Sequence, residues 1–169
     1  MLVTGGAGYL GSVLCEHLLR AGCRVTVVDN LLYGQRSLFH LCADPRLEFV
    51  FGDVRDETLV RRLLKDADVV IPLAAVVGGP ACDRDPWLAR AVNLEAVEML
   101  DRLRSPQQLV ILPTTNSGYG TKSGETYCTE ETPLEPITLY GRTKAQAEAL
   151  LLQSPNSITL RLATVFGLS

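Results

Sequence analysis

The sequence alternates short apolar runs, rich in valine and isoleucine, with longer segments in which apolar residues recur at helical spacing. Such runs are typical of buried strands in a parallel sheet. They predict six strands, at residues 2–4, 24–29, 47–51, 68–73, 108–112 and 157–162. Helical periodicity begins at Leu10 and ends at Gly22, and it returns at residues 56–65, 86–103 and 140–153. Alternating strands and helices predict an α/β fold with a doubly wound parallel sheet and right-handed crossovers.

A polar, glycine-rich segment interrupts this alternation at residues 114–136, between the fifth strand and the last helix. It is longer than most connections in compact domains. We therefore expect it to carry function or to form a lid.

Length and charge exclude several classes of protein. A chain of 169 residues suits one domain, and 16 basic against 19 acidic residues leave a formal charge of −3, so we expect no nucleic-acid partner. The longest apolar runs are far shorter than the roughly 20 residues that cross a bilayer, so we expect no membrane partner. No basic region follows Met1, and a signal peptide is not predicted.

The cysteines and histidines predict neither disulfides nor a metal site. Five cysteines are an odd number, are scattered, and include no C-x-x-C pair, which favours reduced thiols and a cytoplasmic location. His17 and His40 have no metal-type spacing to a cysteine or carboxylate. A G-x-S-x-G elbow, which would indicate a serine hydrolase, is absent.

A glycine-rich turn separates the first strand from the first helix. Gly5, Gly8 and Gly11 share the spacing G-x-x-G-x-x-G. In this setting glycines permit a tight turn, close approach to a pyrophosphate and close packing of helix on strand. The following helix start offers free N–H groups to phosphates. A plain turn is the alternative, and the strand–turn–helix setting favours dinucleotide binding.

Acidic and small residues follow the next strands. Asp29 ends the second strand, where a carboxylate can bind the ribose hydroxyls of NAD and repel the 2′-phosphate of NADP; alternatively it caps a loop. Arg36, further along, could bind that 2′-phosphate, so NADP stays an alternative. Asp53 follows the third strand and could reach an adenine amino group or simply face solvent. The fourth strand ends in Leu73, Ala74 and Ala75, which leave room for a flat cofactor.

Three residues form a candidate catalytic group. Tyr140 and Lys144 are four apart, on one face of a predicted helix, and a nearby ammonium would lower the pKa of the phenol. Tyrosine could then act as a general base. Thr115 lies at the end of the fifth strand and could orient a substrate oxygen. An exposed helix pair and a loop-capping threonine are the alternatives.

Motifs along the whole chain resemble the extended short-chain dehydrogenase/reductase family, in particular its nucleotide-sugar epimerases and dehydratases. The matching motifs are TGGAGYLG at 4–11, VVDN at 27–30, GDVRD at 52–56, LAA at 73–75, Asn93, TTNSGYG at 114–120, YGRTK at 140–144 and RLATVFG at 161–167. The resemblance implies a Rossmann fold that binds NAD, with Thr115, Tyr140 and Lys144 as the catalytic triad. It further implies that a set of residues contacts or supports NAD: Tyr9, Leu10, Asp29, Asn30, Asp53, Val54, Ala74 and Asn93.

The resemblance also carries expectations about the whole protein. Family members exceed 300 residues, so residues 1–169 are expected to be the NAD-binding domain, with the C-terminal substrate-binding portion missing. The family's 4,6-dehydratases carry Asp-Glu after the triad threonine, where this chain has Asn116 and Ser117. A homodimer through the helices carrying Asn93 and Tyr140 is implied.

The leading functional hypothesis is an NAD-dependent epimerase that acts on a nucleotide sugar. In this hypothesis Tyr140 takes a proton from a sugar hydroxyl, hydride passes to bound NAD, and hydride then returns to the other face of the keto intermediate. The alternatives are an NAD-dependent sugar dehydrogenase or reductase, and a non-catalytic NAD-binding module if the chain ends at Ser169.

Overall fold

Six parallel strands form one sheet in the order β3-β2-β1-β4-β5-β6. The computed structural model describes residues 1–121 and 127–167, so part of the predicted polar segment, 122–126, lies outside the described residues. The strands are β1 (Leu2–Thr4), β2 (Val25–Asp29), β3 (Leu47–Phe51), β4 (Val69–Pro72), β5 (Leu109–Thr115) and β6 (Ser157–Leu162). The helices are α1 (Tyr9–Arg20), α2 (Glu57–Leu64), α3 (Gly79–Arg84), α4 (Pro86–Arg90), α5 (Ala96–Leu103) and α6 (Leu139–Leu151). The predicted doubly wound α/β fold is confirmed.

Apolar side chains cover both faces of the sheet, which explains why its strands read as continuous apolar runs. Neighbouring residues of one strand serve opposite faces: Val27 joins a core cluster with Cys15 and Leu19 of α1, whereas Val28 joins a cluster with Leu100 and Leu151. Helix α1 therefore covers one face, and α2, α5 and α6 cover the other.

The helix predicted at 86–103 is interrupted. A π-helical turn, Ala91–Glu95, separates α4 from α5, and Asn93 lies within it with both ends of its amide bonded to Val76. Such turns often occur at functional sites. The short helix α3 was not predicted, and β5 extends to Thr115, beyond the predicted end at residue 112, because Thr115 still pairs with Leu162 of β6.

Side-chain caps mark where helices begin after loops. Asp56 accepts the backbone N–H of Leu59 at the start of α2, and Thr138 accepts that of Gly141 at the start of α6. Within residues 1–121 and 127–167, no helix combines the length and the apolar character that crossing a membrane requires.

Candidate active site

A cavity of about 800 Å³ opens at the carboxyl edge of the sheet. It lies at the ends of the neighbouring strands β1 and β4, where the connections that follow the two strands run to opposite faces of the sheet. This is the ligand-binding position in open α/β sheets. Its size is at the upper end for small-molecule and cofactor sites, as a dinucleotide would need. All predicted site residues except Asn93 line it: Gly5, Gly8, Tyr9, Leu10, Gly11, Asp29, Asn30, Asp53, Val54, Leu73, Ala74, Ala75, Thr115, Tyr140 and Lys144.

The glycine-rich turn brings β1 against the end of β4. Gly5 has a φ of +68°, and a Cβ atom added there would lie 2.5 Å from the backbone nitrogen of Ala74. Only glycine permits this approach. Helix α1 then begins without a side-chain cap, and among the described residues no acceptor meets the N–H groups of Tyr9, Leu10 and Gly11. These three N–H groups at the positive end of the helix dipole suit a phosphate group.

Asp29 both holds the local backbone and lines the cavity. Its Oδ2 accepts the N–H of Ala7 at 3.0 Å, and its Oδ1 accepts the N–H of Leu31 at 2.8 Å. The alternative reading as a loop cap is thus present in the structure. Each carboxylate oxygen keeps a lone pair, so a ribose hydroxyl can still bind. Arg36 is exposed and does not line the cavity.

Asp53 is paired with an arginine. Arg55 donates to both carboxylate oxygens, at 2.9 and 2.7 Å, and these bonds lower the pKa of Asp53 to about 2. Arg55 also lies 5.7 Å from the centre of the Trp87 ring, so Asp53 is linked to α4. The carboxylate at this end of the cavity therefore stays charged at neutral pH.

Asn93 is buried behind the cavity wall. Its amide accepts the N–H of Val76 at 2.8 Å and donates to the carbonyl of Val76 at 2.9 Å and to Thr143 at 3.4 Å. It therefore ties the loop after β4 to α6. Asn93 supports the wall through Val76, and it does not contact the cavity itself.

The start of α6 brings the three candidate catalytic residues together. A Cβ atom at Gly141 would lie 2.9 Å from the carbonyl oxygen of Ser117, so glycine lets α6 approach the end of β5 closely. Tyr140 thereby comes within hydrogen-bonding reach of Thr115, and Lys144 lies one turn further along the same face. Thr115 also accepts the N–H of Ser117 at 3.1 Å and so caps the short 3₁₀ turn that follows β5.

The predicted lowering of the Tyr140 pKa is wrong for the chain on its own. Burial raises the pKa of Tyr140, an effect to which Cys82 adds, and the hydrogen bond with Thr115 opposes it only in part. Lys144 is buried as well, and burial lowers the pKa of its amine to about 8 although Glu148 favours the charged form. Both groups resist ionisation because the cavity wall excludes water from them.

A buried ion pair below Lys144 was missed by sequence reasoning. Glu148 is 3% exposed, binds Arg161 of β6 at 2.6 Å and accepts the hydroxyl of Thr114 at 2.8 Å. Arg161 in turn donates to the Tyr119 hydroxyl at 3.1 Å and stacks on its ring. The pair therefore joins α6, β5, β6 and the segment after β5. Its i, i+4 spacing from Lys144 was the available signal.

Other cavity residues were also missed. The end of β6 contributes Leu162 and Ala163, which the rule that ligands bind at strand carboxyl ends could have predicted. Leu88 and Val92 add apolar wall from the interrupted helix. Within the described part of the chain, no three acidic, cysteine or histidine residues are grouped for a metal ion, and the five cysteines are unpaired.

Solved structures share this architecture. The UDP-glucuronic acid 4-epimerase from Bacillus cereus in complex with NAD superposes with a TM-score of 0.87 and 30% identity, over 98% of this chain and 56% of that one. The dTDP-glucose 4,6-dehydratase from Streptomyces venezuelae, also solved with NAD, gives a TM-score of 0.82 and 31% identity, over 89% and 49% of the two chains.

Sequence relatives point the same way. The UDP-arabinose 4-epimerase 1 of Arabidopsis thaliana is 34% identical over 99% of this chain and 43% of its own length. The UDP-glucose 4-epimerase of Lactobacillus helveticus is 32% identical over 89% of this chain and 46% of its own. The chain thus spans about half the length of these relatives. The profile of one family matches residues 1–169 in full. The chain belongs to the NAD dependent epimerase/dehydratase family.

Proposed function

We propose that the chain binds NAD in the cavity at the carboxyl edge and contributes the reactive groups of a nucleotide-sugar epimerase. One observation carries this proposal: a single cavity connects the open N-terminus of α1 with Thr115, Tyr140 and Lys144. The free N–H groups of α1 suit the pyrophosphate. Asp29 suits an unphosphorylated ribose, Arg36 does not line the cavity, and Arg55, which does line it, is held by both carboxylate oxygens of Asp53. These features favour NAD over NADP.

The residues near Tyr140 have complementary roles. Bound NAD supplies a reversible hydride acceptor. Tyr140 exchanges the proton of the sugar hydroxyl, and Thr115 holds the same oxygen by a hydrogen bond. Proton acceptance near neutral pH requires a lower pKa than burial alone gives Tyr140, and the charged form of Lys144 favours the phenolate. The positive charge of an oxidised nicotinamide would act in the same direction.

The charges in the cavity favour epimerisation over dehydration. Among the described residues that line it, the only carboxylates are Asp29 and Asp53, which lie at the carboxyl ends of β2 and β3 and not at the reactive end, beside β5. Asn116 and Ser117 follow Thr115 and line the reactive end, and neither can supply the acid and base that loss of water requires. A 4-epimerase acting on a UDP sugar also matches the activities of several relatives.

The relatives are about twice as long as this chain, and we propose that residues 1–169 form the NAD-binding domain of such an enzyme. The sugar nucleotide would then be held mainly by a further portion. A homodimer through the helices carrying Asn93 and Tyr140 follows from the family resemblance and is tested by light scattering. Five unpaired cysteines support a cytoplasmic location.

Titration of the chain with NAD and NADP tests the cofactor, and we expect measurable binding that favours NAD. Absence of binding to either would refute the proposal. The chemistry is tested with Tyr140→Phe, in a polypeptide that contains these residues and inverts a UDP sugar. We expect nearly unchanged NAD affinity and loss of inversion at C4 of the sugar. NMR of the sugar C4 proton measures this inversion. Equal loss of both would show that Tyr140 is structural.

A further inference from the structure

The glycine-rich turn is held by side chains from outside it. Ala7, at the centre of the turn, is 2% exposed. Its N–H donates to Oδ2 of Asp29 at 3.0 Å, and its carbonyl oxygen accepts the hydroxyl of Ser37 at 2.6 Å. Both backbone groups of Ala7 are therefore bound by side chains from β2 and the loop after it, whereas the N–H groups of Tyr9, Leu10 and Gly11 meet no acceptor among the described residues.

We propose that Ser37 is a positioning residue of the dinucleotide site, which holds the Ala7 carbonyl and so keeps the first N–H groups of α1 directed at the pyrophosphate. Ser37 does not line the cavity, so it acts through Ala7 and not by touching the ligand. This proposal rests on the proposed NAD binding.

The loop that carries Ser37 is anchored well enough for this role. Leu38, its neighbour, is 5% exposed and packs in the core cluster that contains Ala7 and Val27. At the other end of the loop, Leu31 has a φ of +52°, and its N–H is held by Asp29. The hydroxyl of Ser37 is therefore presented from a packed loop, so ordering it on ligand binding costs little.

Asp29 and Ser37 both bind the backbone of Ala7 but differ in their access to the cavity. Asp29 also lines the cavity, so it can bind the ribose directly and set the preference for NAD. Ser37 reaches the ligand only through the turn that receives the phosphates. Loss of Ser37 should therefore weaken ligands that carry a pyrophosphate, whereas loss of Asp29 should also relax the discrimination against NADP.

The test compares Ser37→Ala with Ser37→Thr, which keeps the hydroxyl, and with Ser105→Ala, which removes an exposed serine hydroxyl at the opposite edge of the sheet. We expect Ser37→Ala to raise the dissociation constants of NAD and ADP-ribose by about 3- to 10-fold, the effect of one lost hydrogen bond. Adenosine affinity, measured by ligand-observed NMR, should stay unchanged. Threonine should restore most of the loss, and Ser105→Ala should bind all three ligands like the parent chain.

Unchanged affinity for NAD would overturn the proposal, and so would an equal loss for adenosine, which indicates general loosening of the fold. A measurement without ligand separates it from the proposed function. Hydrogen exchange of the hydrogen-bonded amides of Ala7, Gly8 and Ser12 should become at least several-fold faster in Ser37→Ala and not in Ser105→Ala. If exchange there is unchanged, Ser37 does not position the turn. If it accelerates but the parent chain binds no NAD, the proposed function fails and the positioning role stands.

Discussion

Replacement of Glu148 by glutamine tests how much the buried ion pair contributes to stability. Glu148 is 3% exposed, and its carboxylate accepts hydrogen bonds from Nε of Arg161 and from the hydroxyl of Thr114, each at 2.8 Å. A second guanidinium nitrogen of Arg161 lies 2.6 Å from the same carboxylate. Glutamine keeps the shape of the side chain and one acceptor oxygen. The charge of Arg161 then remains, largely buried, without its counter-ion.

The magnitude follows from burial. Removal of one partner from a fully buried ion pair costs about 3–5 kcal/mol. Here the Arg161 side chain is 18% exposed and keeps its bonds to Tyr119 and to the carbonyl of Glu130, so we expect a smaller loss. We expect Glu148→Gln to lower the free energy of unfolding by about 2–3 kcal/mol, which is roughly 5–10 °C in Tm for a chain of this size.

Urea and thermal unfolding followed by circular dichroism measure this loss, and the chain contains a matched control. Glu57 also binds two arginines, Arg61 at 2.7 Å and Arg102 at 2.8 Å, but all three side chains are well exposed. Glu57→Gln should leave Tm unchanged because water screens exposed pairs. Equal Tm values for the two variants would show that burial does not make the Glu148 ion pair more stabilising than the exposed pairs of Glu57.

Two further predictions concern the site residues. Burial lowers the pKa of Lys144 from 10.5 to about 8, so the unfolded chain binds more protons between these pH values and the free energy of unfolding should rise with pH across that window. Lys144→Met should remove this rise and stabilise the ligand-free chain at pH 7 by up to about 3 kcal/mol. Parallel pH profiles of stability for variant and parent would contradict this. Gly5→Ala should lower Tm and abolish NAD binding because the added Cβ would lie 2.5 Å from the backbone nitrogen of Ala74. Gly34→Ala, also at positive φ but facing open space, should keep NAD binding. Equal NAD affinities of the two variants in calorimetry would show that the contact at Gly5 is relieved without cost.

Much of the fold could be predicted because its signals are local. Strand and helix differ in hydrophobic period, and the glycine spacing before α1 is read within eight residues at 4–11. The π turn at Asn93 could not be predicted, because it accompanies the two hydrogen bonds to Val76, a residue 17 positions away. Periodicity alone indicates one uninterrupted helix there.

The membership of the candidate site was predictable, and its electrostatics were not. The carboxyl ends of parallel strands meet at one edge whatever the packing, so the approximate places of Asp29, Thr115 and Tyr140 followed from the sequence alone. The resting pKa of Tyr140, the pairing of Asp53 with Arg55 and the role of Glu148 depend on burial and on which side chains meet. These contacts and the exclusion of water exist only once the chain has folded, and for that reason the tertiary structure alone decided them.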